Sequence, residues 1–125
     1  MPARVVLVHD DPEFVGACMA ILREAGYDTA AFTDPMAALN ALDAAQMVEL
    51  LITRLVYPPG KPNGLSLARM TKSKRPSVRV LLMTPSENAE HIGEEWGEWL
   101  LLPTTPTVLL GAVQRVLGQS AQNSN

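Results

Sequence analysis

The feature that most constrains the fold of this chain is a series of short apolar runs, separated by segments with helical spacing. The runs occupy residues 5–8, 50–53, 78–83 and 99–101, and most of their residues are aliphatic. Continuous apolar runs without polar alternation are typical of strands buried on both faces, as in a parallel sheet. We therefore predict an α/β fold, a doubly wound (βα)5 unit with right-handed crossovers. Its five-stranded parallel sheet would lie between two helical layers as a three-layer sandwich.

A repeated aspartate–proline signal marks the starts of two predicted helices. Asp11 precedes Pro12, and Asp34 precedes Pro35. An aspartate N-cap followed by proline at the first helical position is a favoured helix start, and Gly26 is the expected stop of the first helix. The predicted strands cover residues 5–8, 27–32, 48–55, 78–83 and 99–102, and the predicted helices cover residues 12–25, 35–45, 64–75, 87–95 and 106–117.

Composition and charge narrow the class of protein. A chain of 125 residues with 47% hydrophobic residues predicts one domain, residues 4–118, ending at Gly118 and followed by a polar, disordered tail at 119–125. The net charge of −3 and the isoelectric point near 5.3 argue against a nucleic-acid surface. No apolar run approaches the roughly 20 residues that span a bilayer, and no signal-peptide pattern is present. We expect a cytoplasmic protein that does not bind a membrane.

The number of cysteines limits the covalent and metal chemistry of the chain. Cys18 is the single cysteine, so an internal disulfide and a cysteine-based zinc site are both excluded. Its position on the apolar face of the first predicted helix favours a small buried hydrophobic residue over a redox group.

Polar side chains follow several of the predicted strands, at the point where each strand ends. In a parallel sheet the carboxyl ends of the strands meet at one edge, where a crevice forms and binding sites are built. The residues expected there are His9, Asp10 and Asp11 after the first strand, Arg54 after the third, Thr84 after the fourth, and Leu102 and Pro103 after the fifth.

Several segments in this order resemble a response-regulator receiver domain of the CheY-like family. They are Val-Leu-Val-His-Asp-Asp-Pro-Glu-Phe at 6–14, Ile-Leu-Arg-Glu-Ala-Gly-Tyr at 21–27, Thr-Asp-Pro at 33–35, Asn-Gly-Leu at 63–65 and Trp-Leu-Leu-Leu-Pro at 99–103. The resemblance covers residues 5–118. It implies a flavodoxin-like, CheY-like fold and a place in bacterial two-component (phosphorelay) signal transduction, without catalysis by the chain itself.

The resemblance also assigns family roles to the strand ends. In the family, two acidic residues after the first strand bind Mg²⁺, and an aspartate after the third strand accepts the phosphoryl group. A threonine or serine after the fourth strand and a lysine before the final proline contact the phosphate. In this chain those positions carry His9 and Asp10, Arg54, Thr84, and Leu102 before Pro103; Asp11 substitutes only in part.

The residue types at these positions predict that the phosphoacceptor site is degenerate. Phosphoryl transfer needs a carboxylate nucleophile, and Arg54 is a permanent cation that presents only donors. Mg²⁺ prefers oxygen ligands, so Asp10 and Asp11 are only weak candidates, and we expect no cofactor and absent or weak Mg²⁺. Leu102 removes the cation that would clamp phosphoryl oxygens. The chain is thus predicted to be a pseudo-receiver that is not phosphorylated on aspartate.

A positive role for Arg54 follows from its position. We expect its guanidinium to stand where the metal stands in the family and to pair with Asp10, with Asp11 as a further partner. The alternative is that Arg54 points outward into solvent. We also expect a cis peptide bond between Leu102 and Pro103, because the Lys-Pro bond of the family is commonly cis. The cis form costs little free energy only in X-Pro bonds.

His91, Trp96 and Trp99 are the predicted switch and partner face. The resemblance implies that partners bind the face made by residues 87–95, the fifth strand and the last helix, and exposed tryptophans are frequent interface anchors. We expect Trp99 to be half buried and Trp96 to lie nearer the surface. The acidic residues of 87–98 either form a solvated face or steer a basic partner.

Two functions from different classes follow. The first is a stand-alone degenerate receiver that acts by phosphorylation-independent protein–protein interaction with a histidine kinase or another regulator, with a homodimer as an open alternative. The second is a sensor module whose crevice binds a small anionic or zwitterionic ligand or an ion through His9, Asp10, Arg54 and Thr84. His9 beside two aspartates also leaves a pH sensor or metal ligand open. A flavodoxin-like redox protein is excluded, because no phosphate-binding loop follows the first strand.

Overall fold

The computed structural model describes residues 4–44, 47–58, 63–85 and 98–123. The elements are β1 Arg4–Val8, α1 Pro12–Glu24, β2 Asp28–Phe32, α2 Pro35–Ala44, β3 Leu50–Arg54, α3 Asn63–Lys74, β4 Arg79–Thr84, β5 Trp99–Leu101 and α4 Pro106–Asn123. The predicted helix at 87–95 lies outside the described residues, and so do His91 and Trp96 of the predicted partner face. In the part of the chain described here, no helix combines the length and apolarity that crossing a membrane requires.

The strands form one parallel sheet in the order β2-β1-β3-β4-β5, which confirms the predicted fold class. The register aligns Leu7 with Ile52 and Ile52 with Leu81. Because all strands run in the same direction, β1, β3, β4 and β5 deliver their following residues to the same edge of the sheet. The predicted crevice therefore exists as a consequence of the register.

The core consists of two apolar clusters, one on each face of the sheet. Val6 and Val8 belong to the cluster under α2 and α3, whereas Val5 and Leu7 belong to the cluster under α1 and α4. Side chains alternate between the two faces of a strand, and both faces are covered here, so the strand sequence must be apolar throughout. Cys18 lies fully buried in the second cluster, where desolvation raises the pKa of its thiol to about 11, as expected for an inert side chain.

The helix caps are those that the sequence predicts. The Asp11 carboxylate accepts a hydrogen bond from the Glu13 amide at 3.0 Å, and Asp34 accepts one from Met36 at 3.1 Å. Gly26 follows α1 with a φ of 98°, a left-handed conformation that favours glycine.

The C-terminal end of the last helix differs from the prediction. The sequence predicts that Gly118 stops this helix, but α4 continues to Asn123. Among the described residues, Gly26 has the left-handed backbone of a glycine stop, and Gly118 does not. A glycine inside a helix costs only about 1 kcal/mol, and residues such as serine, alanine and glutamine after it allow the helix to continue.

Candidate functional site: the crevice at the carboxyl edge of the sheet

The crevice is a cavity of about 400 Å³ at the carboxyl edge of the sheet. It is lined by His9, Asp11, Phe14, Arg54, Pro85, Leu102, Pro103 and Thr104. Five of the seven predicted site residues line the cavity. Of the other two, Asp10 contacts Arg54, and Thr84 is fully buried at the end of β4.

Arg54 and Asp10 form the ion pair that the sequence predicts. The Arg54 Nη1 donates to Asp10 Oδ1 at 2.6 Å, and the two side chains are 21% and 34% exposed. Desolvation acts to raise the pKa of Asp10. The hydrogen bond and charge of Arg54, with a backbone hydrogen bond, outweigh that effect and hold the pKa below its ordinary value. The outward, solvated alternative for Arg54 is therefore wrong.

Asp11 caps α1 and is not paired with Arg54 in the described structure. Its carboxylate accepts from the Glu13 amide, and its own amide donates to the Nδ1 atom of His9 at 3.1 Å. The further partnership that we expected between Arg54 and Asp11 is thus replaced by a helix cap. The reason is local, because an N-cap carboxylate is held by the first turn of its own helix.

His9 is held as a neutral imidazole. Its Nδ1 accepts the Asp11 amide proton, so the ring proton of the neutral form resides on Nε2. Its ring also packs on Phe14 with 4.6 Å between the ring centroids. Desolvation by burial is the largest influence and lowers the pKa of His9, so the neutral state dominates at neutral pH.

This set of side chains does not fit the Mg²⁺ ion that the fold family implies. Asp10 already accepts a hydrogen bond from a guanidinium, and His9 Nδ1 already accepts an amide proton. Within the described ranges, no group of three or more His, Cys, Asp or Glu side chains is arranged to hold a metal ion. A dication placed here would stand beside the Arg54 cation.

Tyr57 supports the site by contacts with residues at the ends of β1 and β3, and it was not among the predicted site residues. Its side chain is buried, and its hydroxyl donates to the Val8 carbonyl at 3.0 Å. Its hydroxyl also lies 2.8 Å from Thr53 Oγ1, and the Arg54 guanidinium carbon lies 6.0 Å from its ring centroid. Burial raises the pKa of the Tyr57 hydroxyl to about 12, so it remains a donor. The only sequence signal was an apolar stretch, Leu55-Val56-Tyr57, entering a proline-rich loop.

Gly64 fixes the backbone of Arg54. A Cβ atom at Gly64 would overlap the carbonyl oxygen of Arg54, so only glycine allows α3 to approach this closely. The next amide, that of Leu65, donates to the Leu55 carbonyl at 3.1 Å. The start of α3 therefore buttresses the strand end that carries the guanidinium.

The β4–β5 side of the crevice is apolar and has unpaired hydroxyls. The Oγ1 atoms of Thr84 and Thr104 are buried and have no hydrogen-bond partner in the described structure. Leu102 packs against the core cluster shared by α1 and α4, and its bond to Pro103 is cis, as predicted. Trp99 on β5 is 42% exposed, which agrees with the half-buried position expected for it.

The architecture is that of solved receiver domains. It is similar to the chemotaxis response regulator CheY4 of Vibrio cholerae, with a TM-score of 0.78 and 24% identity over 93% of this chain and 99% of that chain. A CheY-like receiver domain protein of Methanospirillum hungatei gives a TM-score of 0.81 and 19% identity, covering 98% of this chain and 99% of that one.

A longer protein contains the same fold. NtrX of Brucella abortus gives a TM-score of 0.82 and 21% identity, covering 99% of this chain and 28% of that chain. No protein-family model matches this chain. The likeness thus concerns the three-dimensional arrangement, and the conclusion it supports is that this chain has the CheY-like, flavodoxin-like fold of receiver domains.

Proposed function

We propose that this chain is a receiver-like module of two-component signalling that acts by binding another protein and is not phosphorylated on aspartate. The observation that carries the proposal is the 2.6 Å ion pair between Arg54 and Asp10. Arg54 ends β3, where the resemblance assigns the phosphoacceptor. A guanidinium cannot attack a phosphoryl group, because it has no free electron pair and stays protonated.

The pair also supplies what metal and phosphate supply elsewhere in the fold family. Asp10 is kept ionised beside a fixed cation, so its charge is offset within the chain. Leu102 offers no cation for a phosphoryl oxygen, which would need one on this side. The module therefore rests in a single charge state, and its signal depends on which protein it meets.

The β5 edge supplies a candidate surface for a protein partner. β5 is an edge strand of the sheet, and Trp99 and Leu101 on it are 42% and 47% exposed; Val108 in the first turn of α4 is 52% exposed. Arg115 and Glu98 form an exposed ion pair beside them at 3.4 Å. An aromatic side chain among apolar residues with a charged rim is a common composition of protein interfaces.

Restoring the phosphorylation chemistry tests the degenerate-site half of the proposal. We expect the wild-type chain incubated with Mg²⁺ and acetyl phosphate to gain no acid-stable or acyl phosphate by intact-mass spectrometry. A variant with His9→Asp, Arg54→Asp and Leu102→Lys should gain one phosphoryl group. The matched control carries only His9→Asp and Leu102→Lys, lacks the nucleophile, and should stay unmodified. Phosphorylation of the wild-type chain on any aspartate would overturn the proposal.

A binding series tests the partner half. Purified histidine-kinase dimerisation domains and other response regulators from the same source are titrated against the chain by calorimetry. We expect one of them to bind, with affinity unchanged by Mg²⁺ and beryllofluoride and reduced at least about tenfold by Trp99→Ala. Met36→Ala is the control, because Met36 is 62% exposed on α2, away from β5. Equal losses for the two variants, or self-association as the only binding event, would contradict a hetero-partner at this edge.

A further inference from the structure

The crevice has both apolar and polar lining residues. The apolar ones are Phe14, Pro85, Leu102 and Pro103, and the polar ones, here called the polar floor, are His9, Asp11, Arg54 and Thr104. Its volume of about 400 Å³ falls in the range of clefts that hold small organic ligands. Such clefts are mostly apolar with a few placed polar groups, and this description fits the lining residues.

The polar floor carries a donor that the protein does not use. Asp10 takes Nη1 of the Arg54 guanidinium, while the buried Nε has no hydrogen-bond partner among the described residues. By the covalent structure of arginine, Nε–H and one Nη–H form an edge that matches the two oxygens of a carboxylate. The Oγ1 of Thr104 is a second buried polar atom without a partner in that same part of the chain.

The remaining groups specify the charge of a ligand. His9 accepts at Nδ1 from the Asp11 amide, which leaves its Nε2–H as a donor. The Asp10 charge is offset by Arg54, whereas Asp11, which is also a lining residue, repels excess negative charge. The unused groups are donors, and the charge of Asp11 disfavours a second negative charge on the ligand.

We propose that the crevice binds an organic monocarboxylate with a flat apolar body. The carboxylate would accept from the Nε edge of Arg54 and from Thr104, and the apolar body would pack on Phe14 and Leu102. Both donor atoms are buried in the free chain, so binding requires these two side chains to turn toward the cavity. This inference goes beyond the proposed partner binding and does not depend on it. It also differs from phosphate or metal binding, because the ligand carries a single charge and an apolar surface.

The probe is indole-3-acetate, with indole-3-acetamide as its neutral match and inorganic phosphate as the competing anion. Two-dimensional amide NMR of the labelled chain should show saturable shifts at His9, Phe14 and Thr104 with indole-3-acetate. The acetamide should bind at least about tenfold more weakly, because it lacks the charge that Arg54 recognises. Phosphate should leave these amides unshifted at the concentration that saturates indole-3-acetate.

Two variants assign the contacts. Arg54→Lys keeps a cation beside Asp10 but removes the Nε edge, and we expect at least about a tenfold loss of affinity. Thr104→Val keeps the shape and removes the hydroxyl, with an expected loss of a few-fold. Arg4→Lys is the control, because Arg4 pairs with Asp28 at the start of β1, outside the crevice, and it should bind as the wild type does.

Several results would overturn the proposal. They are the absence of saturable shifts up to about 10 mM probe, shifts confined to residues outside the crevice, equal affinity for the acetamide, and wild-type affinity of a folded Arg54→Lys variant. Thermal melting of each variant separates a lost contact from a lost fold. Phosphorylation of the chain would contradict the proposed function but would leave this inference standing.

Discussion

The two sides of the crevice differ in how far their polar groups are hydrogen-bonded within the protein. On the β1–β3 side, the polar groups bond to one another: Arg54 to Asp10, His9 to the Asp11 amide, and Tyr57 to the Val8 carbonyl. On the β4–β5 side, the Oγ1 atoms of Thr84 and Thr104 are buried without partners in the described structure, and Thr104 lines the crevice together with Leu102 and Pro103. One side uses its polar groups to hold the chain together, except that Arg54 Nε has no partner among the described residues, and the other side leaves its two hydroxyls unbonded.

From this contrast we expect the β1–β3 side to contribute mainly to stability and the β4–β5 side mainly to ligand binding. A buried polar network that is fully bonded fixes one geometry, since each lost partner exposes the desolvation cost of the other. Unbonded donors next to apolar walls stabilise nothing by themselves and become favourable only when an acceptor arrives. Substitutions on the β1–β3 side should therefore lower stability, and matched substitutions on the β4–β5 side should not.

The largest effect is expected at Gly64, which supports the β3 end. Gly64→Ala forces a Cβ into the Arg54 carbonyl, and shifting backbone against backbone should lower the free energy of unfolding by about 3 kcal/mol or more. Gly16→Ala is the control, because a Cβ there meets nothing within 4 Å inside α1. It should raise the free energy of unfolding by about 0.5 to 1 kcal/mol. Urea denaturation measures both, and equal effects would contradict the close approach.

The next effect is expected at Tyr57. Tyr57→Phe removes a hydroxyl that bonds the Val8 carbonyl and Thr53, and should lower the free energy of unfolding by about 1 to 3 kcal/mol. Tyr27→Phe is the matched control, because no hydrogen bond of the Tyr27 hydroxyl occurs in the described structure, and it should change stability by less than about 0.5 kcal/mol. If the two variants melt alike, the network beneath the site does not stabilise the fold.

Most of the fold could be predicted because each of its determinants is local. Strands buried on both faces must be apolar throughout, and the caps at Asp11 and Asp34 are read from two adjacent residues. The end of α4 could not be predicted in this way. A glycine stops a helix only when its backbone turns left-handed, and Gly118 does not do so, while Gly26 does.

The candidate site was predictable where the topology alone decides the neighbours. The ends of adjacent parallel strands must meet, so the pairing of Arg54 with Asp10 follows from the order of the strands. Tyr57 was not predictable, because its burial depends on a contact with the Val8 carbonyl, 49 positions away in the sequence. The unpaired hydroxyls of Thr84 and Thr104 could not be predicted either, since the lack of a hydrogen-bond partner leaves no pattern in a sequence.

A smaller effect is expected from breaking the ion pair. Asp10→Asn leaves the Arg54 cation without its counter-charge and should lower the free energy of unfolding by about 1 to 2 kcal/mol at pH 7. The effect stays modest because Asp10 is 34% exposed and solvent screens the pair. Arg4 and Asp28 form a more exposed pair, at 50% and 55%, so Asp28→Asn is the control and should have little effect.

The same variant has a pH signature whose sign is fixed. The pKa of Asp10 lies below its ordinary value of 3.8, so the stabilisation is fully present above pH 3.8. It is lost as the pH falls through the lower, folded-state pKa, because the folded carboxylate then takes up its proton. The difference in unfolding free energy between wild type and Asp10→Asn should therefore shrink below pH 3.8. A difference that persists unchanged to pH 2 would contradict the pair.

The smallest effect gives the sharpest comparison, because it uses one substitution on both sides of the crevice. Thr53 and Thr84 are both fully buried at strand ends, but Thr53 Oγ1 is hydrogen-bonded and Thr84 Oγ1 is not, within the described structure. Thr53→Val should lower the free energy of unfolding by about 1 to 2 kcal/mol, since it leaves Tyr57 with one partner fewer. Thr84→Val exchanges an unpaired hydroxyl for a methyl group of similar volume, and should be neutral or stabilising by up to about 1 kcal/mol. Equal losses measured by urea denaturation would show that Thr84 is bonded in solution, and the contrast between the two sides would then fail at this position.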